Sequence, residues 1–329
     1  MSVMLRRVLV LMLVVLASLL ALTACGEKEK PGSEPLEAFR LTYNPLPFNL
    51  PSMVMRSEGF LDQQLSERGF DGVTVEHKAF EAGFNMSEAM ATGQLDIATV
   101  TGFTSAVMAR AAGRDLKIVA AYSRAPSAFA LAVPAGETAL PADIRGWKIA
   151  LPIGTEAHYL LGRILDEQGL SFSDVEIVNM LVPDAAAALL SGNVDAAVLV
   201  DPVLSRLETG NKIRVYRDGE GLVLGMTVTA VWAEFLAAHP EAIEAYLAAV
   251  GDSLGYIDAN KEETLVLAVE ETGLPQPVVT KLMQKYNFDP MIDEDVKRGM
   301  EDQIEFLYEA GLIKERISLD DLLDLGPRG

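Results

Sequence analysis

The strongest constraint on the fold is an internal repeat. Residues 85–102 and 184–201 share one pattern: a polar residue, a short helix-like segment, a glycine and a nearly continuous apolar run. The second copy begins 99 residues after the first, and Gly93 and Gly192 occupy the same place in the two copies. A glycine is favoured directly after a helix, and unbroken apolar runs are typical of parallel strands that are buried on both faces. The repeat therefore predicts two lobes built on one plan.

Each copy of the repeat is preceded by a segment with the pattern of strand, helix, strand. The segments are 39–44, 52–68 and 73–80 in the first half, and 148–153, 156–168 and 175–180 in the second half. This alternation predicts an α/β protein in which each lobe has a mostly parallel sheet with helices on both faces. Because ligands of such sheets bind beyond the carboxyl ends of the strands, we expect a ligand cleft between the lobes.

The lobes are predicted to exchange segments. We assign residues 38–134 and 230–329 to lobe 1 and residues 135–229 to lobe 2. In this assignment a strand at 128–136 leaves lobe 1, and a strand at 221–230 returns to it. From Glu234 onward apolar residues recur at steps of three and four, which indicates helices that cover lobe 1, the last of them a candidate to cross between the lobes.

The first 24 residues have the layout of an export signal: two arginines, an uncharged apolar run, and small residues before Cys25. A retained membrane anchor is the alternative, since the run from Val8 to Gly26 is nearly long enough to span a bilayer. Cys25 is the only cysteine, and the L-T-A-C that it ends resembles the cleavage motif of lipoproteins. We predict a signal peptide at 1–24, an acylated Cys25 and a flexible tether at 25–37. The protein is then exported and lipid-anchored to the cell membrane, facing the periplasm or the exterior.

The charge of the chain excludes one class of partner. It has 27 Lys and Arg against 47 Asp and Glu, a formal net charge of −20. Nucleic acid is not expected as a partner, because binding to its phosphates requires a basic face. A small anion remains possible, since backbone N–H groups at helix starts bind anions without a lysine.

Catalytic motifs are absent from the sequence. Neither a nucleophile elbow nor a phosphate-binding P-loop occurs. His77, His158 and His239 are the only histidines, and they are not at the spacing of metal ligands. We therefore expect no catalytic residue, no metal and no cofactor.

The turns that follow the predicted strands are the candidate ligand-binding segments. The residues are Asn44, Gly83, Phe84, Asn85, Met86, Thr101, Gly102, Phe103, Thr104 and Arg124 in lobe 1, and Gly154, Thr155, Glu156, Ala157, His158, Asp184 and Asp201 in lobe 2. Backbone N–H groups near Asn85, Thr104 and Thr155 are suited to an anion. A purely structural role as helix caps is the alternative for Asn85, Asp184 and Thr155.

Four of these side chains have two interpretations each. Asp201 ends an apolar strand, and we interpret it as a contact for a cationic or hydroxyl group, with capping of residues 203–209 as the alternative. Arg124 is the counter-charge in lobe 1 or a surface arginine. Phe84 and Phe103 form a wall of the site or pack in the core.

His158 and Glu156 both fall in the first turn of a predicted helix. The dipole at this end disfavours imidazolium, so we predict a neutral His158 in either a structural or a ligand-binding role. The same dipole favours a carboxylate, and we interpret Glu156 as pointing outward. If it points inward, it repels a sulfonate and favours an amine.

Two stretches, GWKIALPIGTEAHYLL (146–161) and VEIVNMLVPDAAAALLSGNVDAAVLVDP (175–202), carry a resemblance to a known family. They resemble the substrate-binding proteins of bacterial ABC importers for nitrate, sulfonates and taurine, a group that includes binders of thiamine precursors. The resemblance covers residues 38–260. It implies a type II periplasmic-binding-protein fold whose lobes close on a small ligand and deliver it to a permease and ATPase complex. Val200 replaces the family's usual Trp, and Glu156 replaces a small hydroxyl residue.

The resemblance orders the functional hypotheses. A taurine, alkanesulfonate or nitrate-like ligand comes first and a nitrogen heterocycle second, bound by a protein expected to be a monomer. An enzyme on the same fold would need His158 and Glu156 to act as a pair, but residues two apart on a helix do not face each other. A sensory ligand-binding domain is the third possibility.

Overall fold

The computed structural model describes residues 35–80, 83–136 and 142–326, without the side chains of Pro47 and Phe84. The predicted signal peptide, Cys25 and most of the tether lie outside the described residues. The strands are β1 Ala38–Thr42, β2 Thr74–Lys78, β3 Ile97–Gly102, β4 Leu116–Arg124, β5 Phe129–Pro134, β6 Lys148–Leu151, β7 Glu176–Asn179, β8 Ala196–Val200, β9 Ile213–Asp218 and β10 Met226–Trp232.

The helices lie between and after these strands. They are α1 Leu50–Glu58, α2 Phe60–Glu67, α3 Gly83–Ala91, α4 Phe103–Ala111, α5 Glu156–Glu167, α6 Val182–Leu190, α7 Val203–Thr209, α8 Ala233–Ala238, α9 Pro240–Ala259, α10 Lys261–Thr272, α11 Gln276–Lys285, α12 Glu294–Glu309 and α13 Leu319–Leu322. In the part of the chain that the structure describes, no helix is long and apolar enough to cross a membrane.

The repeat folds as predicted into two matching units, α3 with β3 and α6 with β8. Gly93 and Gly192 follow the two helices with φ of 67° and 72°, the left-handed conformation expected there. Asp96 and Asp195 also match: Asp96 accepts the backbone N–H of Arg40 in β1, and Asp195 accepts that of Lys148 in β6, at 2.7 Å in both cases. The repeated aspartate thus fastens the repeated strand to its neighbour.

The strands form two five-stranded sheets of the same topology. Their orders are β2-β1-β3-β10-β4 and β7-β6-β8-β5-β9. In each sheet the fourth strand is antiparallel to both neighbours, while the first three strands are parallel. We call the part built on the first sheet lobe 1 and the part built on the second sheet lobe 2.

The placement of the strand at 128–136 in lobe 1 was wrong. Strand β5 pairs with β8 and β9, so it belongs to the second sheet. Strand β10 begins at Met226 within the first sheet, four residues before the predicted return at 230. The cause is physical: an apolar run that is covered on both faces shows burial but not which sheet it joins.

Two crossover segments, 125–128 and 219–225, join the sheets side by side. The N–H of Ala125 donates to the carbonyl of Gly225 at 3.1 Å. A Cβ at Gly225 would lie 2.5 Å from the carbonyl oxygen of Ala125, so only glycine allows the two backbones to approach this closely. We call these two segments the hinge, because the chain passes between the two sheets there.

The C-terminal helices connect the lobes a third time. Helix α9 packs on α1 and α2 of lobe 1. Helix α12 places Met300 and Ile304 in the core of lobe 1, whereas its Phe306 reaches the rings of His158 and Tyr159 in lobe 2. The last long helix therefore crosses between the lobes.

Candidate functional site

A cavity of about 460 Å³ lies at the carboxyl ends of β1, β2 and β3 in lobe 1. Its volume is within the range of roughly 300–1,000 Å³ that is usual for small-molecule sites. The lining residues are Asn44, Pro45, Leu46, Phe48, Phe80, Met86, Val100, Thr101, Gly102 and Thr227. Asn44, Met86, Thr101 and Gly102 were predicted as site residues, and the structure brings these four together.

The described residues of the cavity wall are mostly apolar, and none of them has a charged side chain. Its polar groups are Asn44, Thr101 and Thr227. The Asn44 amide donates to the carbonyl of Phe80 at 2.8 Å, which fixes the end of β1 against the end of β2. The cavity therefore offers neutral polar groups at the strand ends beside aromatic and aliphatic surface.

Two helices begin at the cavity. Helix α3 begins at Gly83 and places Met86 in the wall, and α4 begins directly after Gly102 with no side-chain cap. The first N–H groups of a helix have no partner within the helix, and they lie at the positive end of its dipole. An anion can be bound at such a place without a basic side chain.

Other predicted residues of these segments do not line the cavity. Phe103 is fully buried in the core of lobe 1, so its alternative interpretation as a core residue applies. The side chain of Phe84 lies outside the described residues. Asn85 and Asp184 are exposed and lie inside α3 and α6, two residues after each helix begins, so neither is an N-cap.

Glu156 points inward, and the predicted outward orientation is wrong. Its side chain is buried, with 7 % of the residue exposed. One carboxylate oxygen accepts from the Thr104 hydroxyl at 3.1 Å and from the Gln303 amide, and the other accepts from the N–H of Gly225 at 3.2 Å. The helix dipole favours a carboxylate here but does not decide its direction, which is set by these partners in lobe 1 and the hinge.

The position of Glu156 relative to the cavity follows from its partners. Thr104 comes two residues after Gly102, and Gly225 comes two residues before Thr227, so Glu156 lies on the hinge side of the cavity and not in its wall. Burial raises the pKa of Glu156 to about 7, against the three hydrogen bonds that lower it. The carboxyl group thus joins the lobes through uncharged donors.

The turn that opens α5 packs against lobe 1. The place where Gly154 would carry a Cβ lies 4.0 Å from the side chain of Met108 on α4. Thr155 is the N-cap residue, but its hydroxyl donates back to the carbonyl of Pro152 at 2.8 Å and does not cap the helix. Ala157 is buried in the core of lobe 2.

His158 has a structural environment. Its Nδ1 accepts from the N–H of Gly154 at 3.4 Å, and its ring packs in a cluster with the rings of Phe172 and Phe306. Burial lowers the pKa of His158, so the ring is neutral at pH 7 as predicted. Since Glu156 bonds to lobe 1 and His158 to its own turn, the two do not form the pair that an enzyme would require.

Asp201 and Arg124 are turned away from the cavity toward the C-terminal segment. One Asp201 oxygen accepts from the N–H of Ser205 and the other from the ammonium of Lys285, both at 2.8 Å. The Arg124 guanidinium donates to the Asp289 carboxylate at 3.0 Å. Asp201 therefore caps the segment 203–209, which was the alternative interpretation. Arg124, predicted as the counter-charge of the site, is instead paired with Asp289.

Gln303 and six of the residues that line the cavity were not predicted from the sequence; the six are Pro45, Leu46, Phe48, Phe80, Val100 and Thr227. Phe80 and Thr227 line the cavity, and Gln303 binds Glu156. Phe80 ends a predicted strand and was detectable by that criterion. Gln303 is a polar residue on the apolar face of α12 and is fully buried, a pattern that signals a buried hydrogen-bond partner. Among the described residues no three His, Cys, Asp or Glu side chains are grouped as metal ligands.

Comparisons with known proteins show which family and which proteins the chain is similar to. Residues 68–264 match the family described as NMT1/THI5 like. A putative aliphatic sulfonates-binding protein of Escherichia coli is 28 % identical over 266 residues, 78 % of this chain and 81 % of that protein. The taurine-binding periplasmic protein of Escherichia coli is 25 % identical over 257 residues, 74 % of this chain and 79 % of its own.

A solved structure agrees with the fold. The periplasmic aliphatic sulphonate binding protein from Escherichia coli superposes with a TM-score of 0.76 at 25 % identity, covering 87 % of this chain and 91 % of that chain. The predicted two-lobed fold is confirmed. The chain belongs to the NMT1/THI5-like family and has the fold of the periplasmic binding proteins.

Proposed function

We propose that this protein is the extracytoplasmic binding component of an ABC importer and that its ligand is an organic sulfonate. The observation that carries the proposal is the cavity in lobe 1, where two helix starts and neutral polar groups meet an apolar wall. A sulfonate head is an anion that backbone N–H groups bind, and its organic body suits the apolar surface. The similarity to proteins described as binding aliphatic sulfonates and taurine supports this ligand class.

Within this class we propose alkanesulfonates ahead of taurine, and we place nitrate, a different anion, after both. Taurine carries an ammonium group, and none of the described residues that line the cavity has a carboxylate to receive it. Glu156 and Asp201, the two candidates for that role, are both engaged by partners inside the chain. Nitrate would leave the apolar wall without a contact.

Thermal unfolding with a ligand panel tests the ligand class. We expect butanesulfonate to raise the melting temperature more than taurine or nitrate, and a pyrimidine to leave it unchanged. A ligand at 100 times its Kd stabilises the folded state by about 2.7 kcal/mol, which is readily measured. A response to the pyrimidine alone favours the heterocycle alternative, and no response to any sulfonate makes the proposed ligand class wrong.

The export and anchoring of the chain are further parts of the proposal. Two features of the sequence support this part of the proposal: the pattern of residues 1–24, and the single cysteine, Cys25, at the position of the acylated residue in lipoproteins. We propose a monomer held at the membrane by the tether at 25–37. Labelling of cells with a fatty-acid analogue tests this: the full chain should be labelled and a Cys25→Ser variant should not.

A further inference from the structure

Two large apolar side chains are exposed side by side at the carboxyl edge of the second sheet. Ile153 follows β6 and is 43 % exposed, and Leu181 follows β7 and is 69 % exposed. The N–H of Ile153 donates to the side chain of Asn179 at 3.1 Å, which ties the end of one strand to the end of the other. Adjacent exposed apolar residues of this size frequently mark a binding surface.

The symmetry of the lobes relates these residues to the cavity. By strand pairing, Ile153 is the counterpart of Pro45, and Leu181 directly follows the counterpart of Phe80. Pro45 and Phe80 both line the cavity in lobe 1. The edge is therefore apolar in both lobes at two positions, Pro45 with Ile153 and Phe80 with Met180.

The order of the strands places the two edges on the same side of the hinge. The strands that adjoin the crossovers, β4 with β10 and β5 with β9, lie at one end of each sheet. Strands β1 with β2 and β6 with β7 lie at the other end of each sheet, away from the crossovers. Glu156 already joins the lobes on the hinge side, so further closure at the crossovers moves Ile153 and Leu181 toward the cavity.

We propose that Ile153 and Leu181 form the second wall of the ligand site and cover the apolar body of the ligand when the lobes close. The inference rests on the proposed sulfonate-binding function and adds to it. The cavity in lobe 1 holds the head group, and these two side chains in lobe 2 make affinity depend on the length of the carbon chain.

Calorimetric titration with ethane-, butane- and hexanesulfonate tests this wall. For the unsubstituted protein, each methylene covered on closure is expected to tighten binding up to about fourfold. In Leu181→Ser and Ile153→Ser the gain from ethane- to hexanesulfonate should fall by about fivefold or more, while affinity for ethanesulfonate changes little. The melting temperature without ligand should stay the same, because both side chains are exposed.

Leu190→Ser is the matched control. Leu190 is 49 % exposed in the same lobe, but it ends α6, whereas Leu181 lies directly before the start of that helix. Its substitution should leave the whole series unchanged. A full chain-length gain in both Leu181→Ser and Ile153→Ser overturns the inference. If the unsubstituted protein binds none of the sulfonates, both the proposed function and the inference are wrong. If it binds them but the two variants keep the full chain-length gain, only the inference is wrong.

Discussion

Glu156 and Asp201 are two buried carboxyl groups at strand ends of lobe 2, and the chain holds them in opposite ways. Asp201 has a cation as its partner, the ammonium of Lys285 at 2.8 Å. Glu156 has only uncharged donors, the Thr104 hydroxyl, the Gln303 amide and the N–H of Gly225. Both groups join lobe 2 to other parts of the chain, but only one of them brings a compensating charge.

The difference makes the Glu156 contact depend on pH. A buried carboxylate without a cation is costly, so burial raises the pKa of Glu156 to about 7 and the group titrates near neutrality. The contact at Asp201 instead depends on both ionic partners being present. The contact on the hinge side of the cavity is therefore sensitive to protons, whereas the contact at α7 is sensitive to loss of the lysine.

The largest effect is expected from Lys285→Met. The substitution leaves a buried Asp201 carboxylate without its cation, which costs about 3–5 kcal/mol of unfolding free energy. Urea unfolding measures the loss. The control is Lys281→Met on the same helix: its ion pair with Glu208 is solvent-exposed, so we expect at most about 1 kcal/mol. Equal losses in the two variants would show that the Asp201–Lys285 pair contributes no more to stability than the Glu208–Lys281 pair.

Glu156→Gln is expected to have the next largest effect on the free energy of unfolding. At high pH it should stabilise the protein, whereas Lys285→Met destabilises it. The folded pKa of about 7 lies above the ordinary value of 4.5, so the folded state binds the proton more tightly than the unfolded state. Wild-type stability should therefore fall as pH rises from 4.5 through 7, and by pH 8.5 the variant should be the more stable by roughly 2–3 kcal/mol. Gln303, whose buried carbonyl oxygen has no partner, can turn its amide to accept from Gln at position 156.

The measurement is the difference in unfolding free energy between Glu156→Gln and wild type from pH 5 to 8.5. Glu301, an exposed glutamate on α12, supplies the control: Glu301→Gln is measured against wild type over the same range. A difference for Glu156→Gln that stays constant across the range would contradict the raised pKa.

These partners explain how far the sequence could predict the molecule. The repeat predicted two lobes, the parallel strands and the glycine after each helix, because those features depend on patterns within about twenty residues. The orientation of Glu156 depends on Gln303, which lies 147 residues away, and the role of Asp201 depends on Lys285, which lies 84 residues away. No local pattern contains such partners.

The candidate site was predictable to the same extent. Strand ends can be located from apolar runs, and this criterion selected Asn44, Met86, Thr101 and Gly102, which line the cavity. Thr227 enters the cavity only because β10 crosses into the first sheet beside β3, a pairing over more than a hundred residues. Sequence patterns thus identified the turns, and the tertiary pairing selected which of their side chains meet.

Thr104→Val should have a smaller effect that depends on the charge of Glu156. The substitution removes the hydroxyl that donates to the carboxylate at 3.1 Å. A hydrogen bond to a charged group contributes about 1.5–3 kcal/mol and a neutral one about 0.5–1.5 kcal/mol. The loss of stability should therefore be larger at pH 8.5 than at pH 5. In the Glu156→Gln background this pH dependence should disappear. If it persists, the effect of Thr104→Val does not depend on the charge of Glu156.

The smallest effect is expected on ligand affinity in Asp201→Asn. Neither oxygen of Asp201 belongs to the cavity wall, and both are held by Ser205 and Lys285. Calorimetric titration with butanesulfonate should give a Kd within about twofold of wild type, whereas Thr101→Val in the wall should weaken binding about tenfold by removing a hydrogen bond to a charged group. A tenfold loss in Asp201→Asn, with its fold intact by circular dichroism, would restore Asp201 as a ligand contact. The two carboxyl groups would then differ in function as well as in charge compensation.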